Sequence, residues 1–347
     1  MAPLRLAVLC ALVGAGAGAV PSGDACADAE TAETAEASLL QFARIAVNTL
    51  TEGEMAARAL VMEQEASGLD LADPGTPPCC GSDLDMTMLL EDHNAQCETV
   101  FLTTLLATRK DPQSKIYGPP DFSYFQRYWR SILALPAGAG KAVIMHDYLP
   151  DNVTSNYSTK DGSVSFVKVD ISGFDPLLGL NDLRYQLFEQ QVKNHPDWDT
   201  VFLTDISDVV VLHNPCAFVE RQPERVFVGS QHAKMKPYKF IRDKFLELGG
   251  KYLEWYDAQP DDHYTMLNAG ILGGKRSMVL AALERMNAVV TDPELASRKA
   301  GEPVRVNMAA FNYVFYTAFA NQTVTGHPLH SQFSLYDNRT DVYFRHK

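Results

Sequence analysis

Thr200-Val-Phe-Leu-Thr-Asp205-Ile-Ser-Asp208-Val-Val-Val-Leu-His-Asn-Pro215 is an apolar, β-branched run that delivers two carboxylates to its end and then turns apolar again. A short continuous apolar run closed by turn-forming residues fits a strand buried on both faces of a sheet. Two carboxylates at the tip of such a strand are costly unless something positive sits beside them. Carboxylate oxygens match hard divalent cations, and Mg²⁺ or Mn²⁺ is commonly held by one or two carboxylates together with substrate phosphates. Taken alone, Asp205 and Asp208 fit a capping and turn pair equally well, since Asn214-Pro215 marks another turn close by.

Outward from this stretch, strand and helix patterns alternate, which predicts βα units and an α/β fold with a mainly parallel central sheet and helices on both faces. Strands are expected at Val100–Leu106, Lys141–Asp147, Val164–Asp170, Thr200–Asp205, Arg225–Gly229 and Thr265–Leu272. Helices are expected at Phe122–Leu135, Asp182–Lys193, Lys239–Leu248, Arg276–Val289 and Asn307–Tyr316. In open sheets of this kind ligands bind beyond the carboxyl ends of the strands, where Asp147, Asp170, Asp205 and the Arg109/Lys110 loop fall. Asn268-Ala-Gly-Ile-Leu-Gly-Gly274 reads as a junction of small residues between strand and helix, close enough in backbone to meet a ligand. No Gly-x-Gly-x-x-Gly or Walker-type loop is present, so dinucleotide binding and P-loop chemistry have no support.

The 347 residues carry a formal net charge of −13, which argues against general affinity for nucleic acid or an anionic membrane. A phosphate-bearing substrate would therefore need local basic residues. Residues 1–19 have the pattern of a secretory signal, with Leu6–Val13 as the apolar part and Ala15, Ala17 and Ala19 as small residues for cleavage. An uncleaved anchor is the rival reading, although the apolar part is shorter than the roughly 20 residues a span needs. Residues 20–97 read as a helical stem and linker, with Leu39, Phe42, Ile45 and Leu50 at helical spacing and a Pro/Gly-rich break before Cys79-Cys80. Residues 98–347 read as the main domain.

The sequons at Asn152, Asn156, Asn321 and Asn338 fit a secretory-pathway chain, resident in the ER or Golgi lumen or secreted. Cys26, Cys79, Cys80, Cys97 and Cys216 are an odd number outside the signal, which leaves one thiol free or paired between chains.

Several of these segments resemble, in order and spacing, the nucleotide-sugar-dependent glycosyltransferases of the GT-A superfamily, over the chain from about Cys97 onward. Asp205-Ile-Ser-Asp208 with its apolar run and proline looks like their DxD region. Asn268-Ala-Gly270 resembles their Asn-Ala-Gly segment, and Asn307-Met-Ala-Ala-Phe-Asn312 their Asp-Gln-x-x-Phe-Asn helix start. His346-Lys347 resembles the late His and basic residue of the family, and Asn181-Asp182-Leu-Arg184 their donor-contacting helix. Two positions depart from the pattern. Aligned on the apolar run, the first Asp of DxD falls on Ile206, one residue after Asp205, and Asn307 stands where Asp is usual.

The resemblance implies a Rossmann-like GT-A fold and a metal-dependent hexosyltransferase. Its donor would be a UDP- or GDP-sugar and its acceptor a hydroxyl on a glycan or glycoprotein. Mn²⁺ or Mg²⁺ would be held by Asp208, Asp205 and His346, with Asp208 the direct ligand and Asp205 reaching the metal through water or binding the ribose. Arg109, Lys110, Asp182, Arg184, Gly270, Asn312 and Lys347 are the implied donor contacts. Asn268 and Asp262 are the candidates near the reacting groups, Asp262 as a general base. Two other classes stay open: a non-catalytic carbohydrate-binding protein on the same scaffold, and a metal-dependent phosphohydrolase.

Overall fold

A computed structural model describes residues 97–109, 122–335 and 338–347. The signal segment, the stem and linker through residue 96, Cys26, Cys79, Cys80 and Lys110 lie outside the described residues.

β1 (Thr99–Leu105), β2 (Gly140–His146), β3 (Val164–Lys168) and β4 (Thr200–Thr204) form a parallel array in the spatial order β3-β2-β1-β4. The chain then makes β5 (Val209–Val211) outside this sheet and returns through β6 (Val226–Lys234) and β7 (Thr265–Lys275). β7 lies antiparallel between β4 and β6, and β8 (Thr323–Val324) closes the edge parallel to β6. The result is an α/β architecture with a mostly parallel seven-stranded sheet, flanked by helices. β9 (Phe344–His346) pairs antiparallel with β5 in a separate two-stranded ribbon.

The helices are α1 (Phe122–Leu133), α2 (Asp151–Tyr157), α3 (Leu180–Asn194), α4 (Cys216–Glu220), α5 (Lys239–Leu248), α6 (Gly250–Asp257), α7 (Arg276–Val290), α8 (Ala296–Lys299) and α9 (Asn307–Thr317). Alternate strand residues feed two cores. Val100, Leu102, Val201 and Leu203 pack with Leu183 and Leu187 of α3, Val279 and Leu283 of α7 and Ala309 of α9. Phe101, Ile144 and Phe202 pack on the other face with Phe125, Tyr128 and Ile132 of α1 and with Phe344. Both faces are covered, which is why the strands read as unbroken apolar runs.

Two expectations are corrected. Asn268–Gly274 is not a junction but the body of β7, which runs on to Lys275. Its glycines are strand residues that leave room for neighbours: a Cβ on Gly273 would run into the Phe202 ring. The short helices α2, α4, α6 and α8, of four to eight residues, are too short for a periodicity to show; α2 buries no residue at all.

Cys97 and Cys216 form a disulfide, with Cα atoms 6.0 Å apart. It ties the entry of β1 to the start of α4. Asn214 braces the same corner, accepting hydrogen bonds from Thr99 Oγ1 at 2.6 Å and Cys216 N–H at 3.1 Å and donating to the Cys97 carbonyl at 2.8 Å. Among the described residues no helix is long and apolar enough to cross a membrane.

Candidate functional site

Asp205 follows the last residue of β4, at the carboxyl edge of the parallel array. Its N–H donates to the Gly270 carbonyl at 2.9 Å, so the strand end is fixed to β7. On the β6 side β7 is bulged: Val228 pairs with Leu272 while the next residue, Gly229, pairs with Asn268, leaving Ala269, Gly270 and Ile271 looped out. Bulges of this kind re-aim backbone and side chains beside functional sites. Asn268 closes the bulge by accepting the Gly270 N–H at 2.8 Å through its own Oδ1.

Arg184 reaches from the first turns of α3 into this corner. It ion-pairs with Asp205 Oδ1 and donates through Nη2 to the Ala269 carbonyl at 3.1 Å. Burial opposes its charge, but Asp205 more than offsets this and holds the guanidinium pKa above its usual value. Arg184 is therefore committed to positioning Asp205 and the bulge.

His346 arrives from the opposite direction on β9, where it pairs with Val209 of β5. Lys347 extends the ribbon by donating its N–H to the Asp208 carbonyl at 2.9 Å. Gly270 is where these strands converge. A Cβ there would stand 2.6 Å from His346 Nε2 and 2.9 Å from Asp205 Oδ2, so a side chain would fill the space the two share. His346 is fully buried, and neither ring nitrogen has a hydrogen-bond partner. Burial lowers its pKa to about 3, with Asp205 opposing and His330 adding to the shift, so the imidazole is neutral at ordinary pH. Neutral imidazole is the metal-ligating form.

Asp208 sits in the turn between β4 and β5. Its pKa is raised, first by burial and then by Asp205, while Ser207, Lys347 and Arg184 pull it back. The expected ligands Asp205 and His346 thus meet at Gly270, and Asp208 is coupled to them electrostatically. Among the described residues no group of three or more His, Cys, Asp or Glu side chains is arranged to hold a metal ion. A cation here would draw further ligands from substrate phosphates or water.

Other expected residues take different places. Asn312 is fully buried and spends its amide on Leu267: it accepts the Leu267 N–H at 2.8 Å and donates to the Leu267 and Met308 carbonyls at 3.0 and 2.8 Å. It braces β7. Asp182 is buried and accepts the Val306 N–H at 2.9 Å just before α9, and burial raises its pKa to about 7. Arg109 donates to the Asp175 carbonyl at 3.0 Å. Asp262 lies in an exposed turn ahead of β7.

Three residues at the site carried no signal in the sequence. Ser331 Oγ accepts the His346 N–H at 2.8 Å and donates to the His346 carbonyl at 3.2 Å. The Phe333 ring lies 4.8 Å from the imidazole, centroid to centroid. His330 sits behind, accepting the Gly326 N–H at 3.1 Å and hydrogen-bonding the Ser331 carbonyl at 2.7 Å. No spacing relative to His346 marks them, because tertiary pairing alone brings this segment against β9.

No protein-family model matches the chain, and no curated protein matches it in sequence.

Proposed function

We propose that the protein is a metal-dependent glycosyltransferase of GT-A type, moving a sugar from a nucleoside-diphosphate sugar to a hydroxyl of a glycan or glycoprotein. The observation that carries this reading is the meeting of Asp205 Oδ2 and the unpartnered His346 imidazole at Gly270. A buried imidazole without partners is costly unless a ligand completes it. The mostly parallel α/β sheet, with the site at the carboxyl ends of its strands, is the setting in which such folds bind nucleotides.

His346, Asp205 and Asp208 would hold Mn²⁺ or Mg²⁺, which supplies Lewis-acid stabilisation of charge on a leaving diphosphate. Arg184 holds the Asp205 carboxylate in place through their ion pair. Ser331 fixes the His346 backbone and Phe333 packs against its ring, and Lys347 adds a positive charge beside Asp208 for a phosphate oxygen. His346 and Arg184 are buried while Asp205 and Asp208 are half-buried, so the seat is partly shielded from solvent.

A luminal or secreted location belongs to the same proposal. It is supported by the Cys97–Cys216 disulfide and by the exposure of all four sequon asparagines, Asn152, Asn156, Asn321 and Asn338.

Manganese-dependent release of nucleoside diphosphate from a panel of UDP- and GDP-sugars tests the reading. One donor is expected to turn over, and Asp208→Asn is expected to abolish that turnover while circular dichroism stays unchanged. No nucleotide binding and no turnover with any donor would sink it. Cleavage of simple phosphate esters instead would point to a phosphohydrolase.

A further inference from the structure

Three arginines gather on segment 175–179, which leads into α3. Arg109, just beyond β1, donates Nη1–H to the Asp175 carbonyl at 3.0 Å. Arg298 of α8 ion-pairs through Nη1 with Asp175 Oδ2. Arg305 lays its Cγ 3.5 Å from where a Cβ of Gly179 would stand. Two backbone bonds of 2.8 Å, Val304 N–H to Leu177 O and Gly179 N–H to Val304 O, clamp the segment against the strip that carries Arg305.

The local carboxylates do not absorb these charges. Asp175 is already engaged, its Oδ1 by the Leu177 N–H at 2.8 Å and its Oδ2 by Arg298. Asp182 is tied to Val306 through Oδ1 alone; its Oδ2, 3.1 Å from the same Gly179 position, is buried and bonded to none of the three arginines. Arg109 Nη2, Arg298 Nε and Arg305 Nε are each buried without a hydrogen-bond partner. Buried guanidinium donors are normally satisfied, so three orphans around one five-residue segment point to a missing acceptor. None of the three side chains is sealed from water, so a small anion can reach them by modest rotamer changes. In a chain of net charge −13 such a concentration of guanidinium stands out.

We propose that Arg109, Arg298 and Arg305 form a binding site for a phosphate group, for which planar guanidinium forks are well matched. The site is distinct from the Asp205–His346 pair but stands at the same sheet edge. Along α3, Gly179 and Arg184 are five residues apart, a rise of about 7.5 Å. The phosphate is either the diphosphate of a nucleotide donor or one carried by another ligand. The site rests on the arginine geometry and does not require that sugar transfer occur.

Calorimetric titration of the full chain with inorganic phosphate, and separately with UDP, tests this. Wild type is expected to bind phosphate, with affinity reduced about tenfold in Arg305→Gln and in Arg298→Gln, the loss of roughly one charge-assisted hydrogen bond. Arg285→Gln, on the exposed face of α7, is the control and is expected to bind as wild type does. Arg305→Gln leaves the Arg298–Asp175 ion pair intact, so it reports binding even if Arg298→Gln loosens the fold, which the melting temperature reveals. If Arg305→Gln weakens UDP in step with phosphate, the site seats the donor diphosphate. If UDP is unaffected while phosphate is lost, the phosphate comes from another ligand. Absence of phosphate binding in wild type, or equal binding by all variants, overturns the proposal.

Discussion

Asp205 and His346 face one another across Gly270, and the absent side chain of that glycine is the space they share. The two residues are far apart in sequence, on a strand end and a terminal ribbon, and the β7 bulge is what brings them to one point. Anything that fills the bulge should separate them.

Gly270→Ala supplies that test. The added methyl would stand 2.6 Å from His346 Nε2 and 2.9 Å from Asp205 Oδ2, closer than atoms pack, so one or both side chains must move. A misplacement of this size is expected to reduce metal-dependent turnover on the order of a hundredfold. Apparent Mn²⁺ affinity should fall with it, as read from turnover against metal concentration. Wild-type turnover in Gly270→Ala would show that the Asp205–His346 pocket is not where the chemistry occurs.

Gly273→Ala asks about packing alone. Its Cβ would be driven into the Phe202 ring, which is itself wedged between Phe227 and Phe344. Overpacking a filled core costs about 1–3 kcal/mol, and a lower urea midpoint with unchanged slope is the expected result. An unchanged midpoint would mean the β4–β7 contact is looser than described.

The Cys97–Cys216 disulfide closes a loop across a sequence separation of 119 residues. In the chain-entropy account a loop of that length restrains the unfolded chain by about 4–5 kcal/mol. Replacing both cysteines by serine should therefore lower the melting temperature substantially, and a reducing agent should lower that of wild type by at least as much. Mass spectrometry without reduction should find Cys97 and Cys216 in one linked peptide pair.

The fold was legible where burial dictates composition. Thr200–Thr204, Val100–Leu105 and Ala142–His146 are buried on both faces, and unbroken apolar runs announced them. The position of Asp205 at a strand end was legible for the same reason. The pairing of Arg184 with Asp205 was not: the family resemblance implied a donor contact for it, and the ion pair across the fold shows only in three dimensions. Nor was Asn312, whose three hydrogen bonds to the Leu267 and Met308 backbone depend on α9 lying beside β7. Asp262 lies in an exposed turn ahead of β7. Register and side-chain commitment are tertiary facts, and no local pattern encodes them.

His330 carries the last prediction. Burial lowers its pKa to about 4, against roughly 6.5 in an unfolded chain. Between those values the unfolded chain binds the proton and the folded one does not, so stability rises with pH across that window and is lost as pH falls from about 6.5 toward 4. For this group alone the loss between pH 7 and pH 5 is about 2 kcal/mol. His346 shifts in the same direction, whereas Asp182, raised to about 7, acts oppositely, gaining stability as pH falls through 7 toward its unfolded value. The difference between wild type and His330→Gln isolates the one residue. With metal chelated, urea denaturation at pH 7 and pH 5 should show a smaller loss in the variant than in wild type. Equal losses would place the acid sensitivity elsewhere and would mean His330 is accessible to protons in the folded state.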